Sequence, residues 1–296
     1  MKFLKTTDRN SGEEIQLSYC DYGQGKPVVL IHGWPLSKEM WEYQLEPLVN
    51  AGLRVVKYDR RGFGKSSKPW DGYDYDSFAD DLDAVMTGLD LRDATIVGFS
   101  MGGGEAVRYL KRYGSDRVAR IVLAGSVTPM LGKTSDNPDG VDESVFAEML
   151  QGIASDRIAF LDDFGKTFFG VGLISHPVSS PLLEYYRMLA SFASQRSTKQ
   201  AALAFAHTDF RDDCASVKVP TLIIHGSADK TVPIAVSGER TAQLIPGAEF
   251  IVYDGAPHGL FYTHKERLNK DLIRFIQGSG TIGAGSTTKT AERRSI

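Results

Sequence analysis

Six short apolar runs, bounded by turn-forming residues and separated by longer segments, many of them of helical period, limit the folds open to this chain more than any other feature. They are Pro27 to Ile31 (PVVLI), Arg54 to Tyr58 (RVVKY), Thr95 to Phe99 (TIVGF), Val118 to Ala124 (VARIVLA), Thr221 to His225 (TLIIH) and Glu249 to Tyr253 (EFIVY). Short runs of this kind suit strands buried on both faces. Between them, Ser77 to Leu89, Met101 to Tyr113, Ile234 to Leu244 and Lys265 to Ile276 place apolar residues three and four apart, as helices with one buried face do. Strands and helices alternating in this way build a parallel sheet covered by helices, so the expected class is α/β. A preceding alternating stretch, Ile15 to Tyr22, reads as an antiparallel strand at the sheet edge.

One region breaks the alternation. From Val127 to about Val217 no strand-like run occurs, and Val145, Met149 and Ile153, then Phe160, Phe164 and Phe168, recur at helical spacing. The runs on either side both fit the sheet, so this segment reads as a helical insertion lying over it, a cap. The phenylalanine row is a core stripe by its spacing and a candidate pocket wall by its place. The chain thus reads as a single domain over residues 1–277, with the cap at about 127–217. The remainder, 278–296, is rich in Gly, Thr and Ser without apolar period, which is the pattern of a flexible tail.

Composition removes several function classes. A net charge of −3, with Lys and Arg interspersed among acids, gives no basic footprint for nucleic acid. No apolar run is long enough to span a bilayer, and the opening MKFLKTTDRNSGEE turns polar too soon for a signal-peptide core. The expected location is cytoplasmic, with no membrane partner. Cys20 and Cys214 are the only cysteines, and nothing in their spacing suggests a metal site or a disulfide framework; they read as two reduced thiols.

Chemistry enters at GFSMGGGEA, residues 98–106. Glycine costs a helix interior roughly 1 kcal/mol relative to alanine, so Gly102, Gly103 and Gly104 are a poor way to begin one unless close packing demands them. Gly98-Phe99-Ser100-Met101-Gly102 matches G-x-S-x-G between a predicted strand and a predicted helix, the context in which a strained turn lifts a nucleophilic serine above a sheet. Such a serine needs a base, and the base needs an acid to orient it. Asp229 follows TLIIH in the loop HGSADKTVP, and His258 follows EFIVY in DGAPHGL, both where loops leave the carboxyl ends of strands. A rival acid after VARIVLA is absent, since Ser126 stands there. The backbone N–H of Met101 is one candidate oxyanion donor. The loop His32-Gly33-Trp34-Pro35 should supply the other, and because proline has no N–H the expected donor is Trp34, its indole available to wall the acyl pocket.

The blocks HGWPLSKEMW, YDRRGFGKSSKP, GFSMGGGE, HTDFR, TLIIHGSADKTVP and GAPHG occur in this order. Together they make the chain resemble α/β-hydrolase-fold serine hydrolases of the cofactor-free haloperoxidase, aryl esterase and perhydrolase group, whose relatives include γ-lactamases, from about Phe3 to Gln277. The resemblance implies a mostly parallel central sheet flanked by helices, with a helical cap inserted after the sixth strand. It places the triad on Ser100, Asp229 and His258 and the oxyanion donors on Trp34 and Met101. It also implies a small-molecule ester substrate, a homo-oligomer, and neither metal nor haem nor any other cofactor. A perhydrolase side activity is expected of chains with Trp-Pro on the oxyanion loop.

Competing readings are weaker. Gly62-Phe63-Gly64-Lys65-Ser66 is not a phosphate loop, because Asp59 stands where the first glycine would be needed. His32 is expected to brace the oxyanion loop, and His176, His207, His225 and His264 lack metal-ligand spacing. Dehalogenases and epoxide hydrolases would require a carboxylate at position 100. A lactamase or amidase on small cyclic amides is the alternative use of the same triad, and a non-catalytic ligand receptor on the same scaffold is a more distant one.

Overall fold

The apolar runs pair side by side into one sheet. In chain order the computed structural model, which describes residues 2–278, contains β1 (Lys2–Thr7), β2 (Glu14–Tyr22), β3 (Pro27–Ile31), α1 (Glu42–Asn50), β4 (Arg54–Tyr58), α2 (Tyr75–Gly88), β5 (Ala94–Phe99), α3 (Met101–Tyr113) and β6 (Val118–Ala124). Then come α4 (Glu143–Phe168), α5 (Ser180–Ser191), α6 (Gln195–His207), α7 (Arg211–Ala215), β7 (Thr221–Gly226), α8 (Gly238–Leu244), β8 (Glu249–Tyr253), α9 (Leu260–Thr263) and α10 (Lys265–Gln277). The tail expected at 278–296 lies, beyond Gly278, outside the described residues.

The sheet has eight strands in the order β1-β2-β4-β3-β5-β6-β7-β8. Only the β1–β2 and β2–β4 pairs are antiparallel. β2 is therefore not the edge strand expected from its alternation. β1 holds the edge, and its KFLKTT is exposed except for half-buried residues at alternate positions, too weak a pattern to read as a strand. Side chains alternate across the inner strands as the pleat requires. Val28, Leu30, Val55 and Val97 join Leu48 of α1 and Leu268 and Leu272 of α10 in one core layer. Val29, Ile31, Val56 and Ile96 join Phe78 and Leu82 of α2 and Val107 and Leu110 of α3 in the other.

Between β6 and β7 the chain carries α4 to α7, with α4 packed on α5 and α6. The two apolar rows in α4 belong to two registers. At Asp156 the backbone leaves the helix (φ −144°, ψ 91°), and the Asp156 carboxylate accepts the N–H groups of Ile158 and Ala159 at 3.1 and 3.0 Å, capping the second half. The segment from Ile234 is likewise interrupted: a tight turn at Ile234–Val236 precedes α8. Among the described residues no helix is long and apolar enough to cross a membrane.

The strand order reverses direction at β3. From β3 the chain steps to β4 on one side and then returns to β5 on the other. Loops leaving β3 and β5 therefore diverge from the same point, and open α/β sheets bind ligands in that crevice.

Candidate active site

Ser100 follows β5 with φ 54° and ψ −120°, a left-handed conformation that costs a non-glycine residue about 1–3 kcal/mol. Glycines on both sides make the turn feasible. A Cβ on Gly98 would run into the Gly102 carbonyl, and one on Gly102 would stand 2.8 Å from the Ile31 carbonyl oxygen of β3. Gly103 and Gly104 answer to different neighbours: the first presses on Ser126 after β6, the second on the rings of Phe210 and Tyr75. The run of glycines thus seats the start of α3 against four separate pieces of chain.

From the loop after β8, His258 reaches the serine. Its Nε2 lies 2.9 Å from Ser100 Oγ and its Nδ1 2.6 Å from Asp229 Oδ2. An ionised carboxylate only accepts, so Nδ1 carries the hydrogen and Nε2 is the bare nitrogen facing the serine hydroxyl. Asp229 Oδ1 accepts the N–H groups of Thr231 and Val232 at 2.9 and 2.8 Å. Burial would raise the Asp229 carboxyl, but electrostatic attraction to His258 and N–H donation from His225 and His258 outweigh it and hold the acid well below the usual carboxylate range. The imidazole of His258 packs against the rings of Phe99 and Phe168, at 4.9 and 4.8 Å between centroids.

The loop after β3 closes over the elbow. A Cβ on Gly33 would sit 3.0 Å from Ser100 Cβ and 2.6 Å from the Phe99 ring, so the loop can come this near only as glycine. Met101 is the first residue of α3, and its N–H falls before the intrahelical ladder begins. The Trp34 indole donates to the Thr198 carbonyl at 2.9 Å and packs edge-on against Phe164 and Phe205. A cavity of about 40 Å³ lies beside Ser100, with Trp34 and Phe164 in its wall. It shares Val145, Met149, Phe164 and Thr231 with a larger groove of about 550 Å³.

Beneath the loop is a buried brace that includes His32, as expected, with partners that sequence spacing does not reveal. Arg60 donates from Nε to Glu105 of α3 at 2.7 Å and from Nη2 to the His32 carbonyl at 2.8 Å, while its backbone N–H donates to His32 Nε2 at 3.0 Å. Tyr58 donates its hydroxyl to the same Glu105. His32 donates from Nδ1 to the Gly33 carbonyl at 3.0 Å. Burial first, and then the charge of Arg60, hold the His32 ring far below the ordinary histidine value, which keeps Nε2 free to accept. The helix that carries Ser100 is thereby tied through one guanidinium to the loop that carries Trp34. The sequence hints at it twice: His32 is expected to brace this loop, and a charged residue, Glu105, stands among small and apolar neighbours in the buried first turns of α3.

The arrangement offers a hydroxyl, a base within its reach and an oriented acid over an apolar, enclosed space, which suits nucleophilic attack on a carbonyl. Comparison with known proteins points the same way. Residues 26–265 match the family model of the alpha/beta hydrolase fold. A non-heme chloroperoxidase from Kitasatospora aureofaciens is 41% identical over 264 residues, covering 88% of this chain and 96% of that protein. A bifunctional esterase/perhydrolase from Acinetobacter calcoaceticus is 38% identical over 266 residues, covering 89% and 96%. Among solved structures, a bromoperoxidase from Bacillus anthracis superposes with a TM-score of 0.89 at 46% identity, covering 93% of this chain and all of that one (100%).

Proposed function

Since the chain belongs to the alpha/beta hydrolase fold family, we propose that it is an esterase-type serine hydrolase that cleaves carboxylic esters through an acyl-enzyme, with peracid formation as a side activity. The observation that carries this reading is His258 bridging Asp229 and Ser100 at 2.6 and 2.9 Å, with the serine on a strained strand-to-helix turn. His258 takes the hydroxyl proton as Ser100 Oγ bonds to the ester carbonyl carbon. The oxygen that gains the charge faces the N–H groups of Met101 and Trp34. His258 then returns the proton to the departing alcohol, and the acyl group stays on Ser100.

Water attacking that acyl group, with His258 as base, releases the carboxylic acid. Hydrogen peroxide attacking instead releases a peracid and frees Ser100 in the same way. A peracid passes one oxygen to bromide, giving hypobromous acid and the carboxylate, so halogenation follows outside the protein. The helical insertion α4–α7 is read as the cap that shapes the acyl and alcohol sites. A homo-oligomeric, cytoplasmic enzyme completes the reading.

Ser100→Ala is expected to lower hydrolysis of p-nitrophenyl acetate by about a thousandfold or more, and to lower acetate- and peroxide-dependent bromination by the same factor. Fluorophosphonate labelling should disappear with both. Bromination that persists in the variant would show that peracid does not arise at Ser100.

A further inference from the structure

Beyond the relay and the two backbone N–H groups described above, the carboxylate of Asp229 has one more side-chain neighbour. His225, on β7, is fully buried, and its Nε2 lies 2.9 Å from the Val232 carbonyl oxygen and 3.3 Å from Asp229 Oδ2. Both neighbours are acceptors, so Nε2 carries the hydrogen. Nδ1 is buried with no hydrogen-bond partner, so the tautomer with its hydrogen on Nε2 is the one that leaves no donor unmatched. The ring rests against Gly238, where an added Cβ would stand 2.7 Å from Nδ1. Gly238 has an ordinary backbone conformation, so close approach of this imidazole is what requires a glycine there.

Val232 closes the arrangement. Its N–H goes to Asp229 Oδ1 and its carbonyl receives His225, so the loop carrying the acid is tied at both ends to one ring on the sheet. We propose that His225 is a positioning residue for the acid of the relay: its Nε2–H, shared between Val232 and Asp229, fixes the same carboxylate oxygen that His258 uses. This rests on the reading of Ser100, Asp229 and His258 as the reacting set.

His225→Phe keeps the ring and removes the donor, whereas His225→Gln restores an N–H. Each variant is titrated with a fluorophosphonate to count competent sites, and kcat, KM and the far-downfield proton resonance of the His258–Asp229 hydrogen bond are recorded. His225→Phe is expected to lower kcat per titrated site by about three- to tenfold, the worth of one hydrogen bond, with KM unchanged and the resonance shifted. His225→Gln should recover at least half of the lost rate. A wild-type kcat per site with an unmoved resonance in His225→Phe overturns the proposal and leaves His225 as packing. Should that variant fail to fold, Gly238→Ala, which pushes the ring from its seat, replaces it with the same two outcomes. Ser100→Ala run alongside separates the levels: activity surviving there overturns the underlying reading, whereas an inactive Ser100→Ala beside an unaffected His225→Phe overturns only the role of His225.

Discussion

Ser100 holds a conformation that its own chemistry disfavours, and the residues that make it tolerable are the ones with no side chain. What blocks a Cβ differs along the elbow, and so should the cost of adding one. At Gly98 the obstacle is backbone, the Gly102 carbonyl and the N–H of Gly103, which cannot move without breaking the turn. At Gly104 the obstacles are the rings of Phe210 and Tyr75, which can shift. Gly98→Ala is expected to cost about 2–3 kcal/mol and to abolish fluorophosphonate labelling, whereas Gly104→Ala should cost about 1 kcal/mol and keep most of it. Urea denaturation with active-site titration checks both, and equal losses would contradict the assignment.

Among the elements, the turn between β1 and β2 matters beyond its place at the sheet edge. Asp8 accepts the N–H groups of Asn10 and Ser11 at 3.0 and 2.9 Å, and Arg61, which also pairs with Asp81 of α2, donates to it. Burial would raise the Asp8 carboxyl, but the Ser11 N–H, Arg61 and the Asn10 N–H outweigh it and bring it down to about 2. A carboxyl depressed in the folded protein adds stability above its unfolded value and loses it as pH falls through the folded one. Asp8→Asn should therefore lower stability by about 1 kcal/mol at pH 7, a figure discounted for the partial solvation of the turn, with the gap to the natural protein closing between about pH 4 and pH 2. Urea midpoints across that range test it, and a gap that is constant with pH would remove the ion pair from the account. Arg60, next to Arg61, does a different task, since its partners are Glu105 and the His32 carbonyl of the loop after β3.

At the scale of the molecule, loops leaving the sheet carry Ser100, Asp229 and His258, and the helices between β6 and β7 help wall the space beside them. Phe164 of α4 stands in both the small cavity beside Ser100 and the wider groove. Phe164→Ala is expected to join the two spaces and raise kcat/KM for butyrate relative to acetate esters several-fold, at a cost of about 2 kcal/mol in stability. An unchanged acyl preference would place the limiting contact elsewhere.

Much of this was legible along the chain because it is local. A strand buried on both faces must be apolar throughout, a helix on a sheet must repeat every three or four residues, and a serine lifted between them must have glycines two positions away on either side. Those demands fall on neighbouring residues, so spacing reveals the inner strands, the helices α2, α3, α4, α8 and α10, and the loops holding Ser100, Asp229 and His258. β1 escaped because an exposed edge strand needs little hydrophobicity, and the break in α4 because Asp156 caps a helix inside an uninterrupted helical pattern. Folding alone decided which of several histidines and arginines meet across space: Arg60 finds Glu105 and His32, and His225 finds Asp229. Those meetings depend on how whole segments pack, as does the size of the space beside Ser100, and neither leaves a periodic mark on the residues that take part.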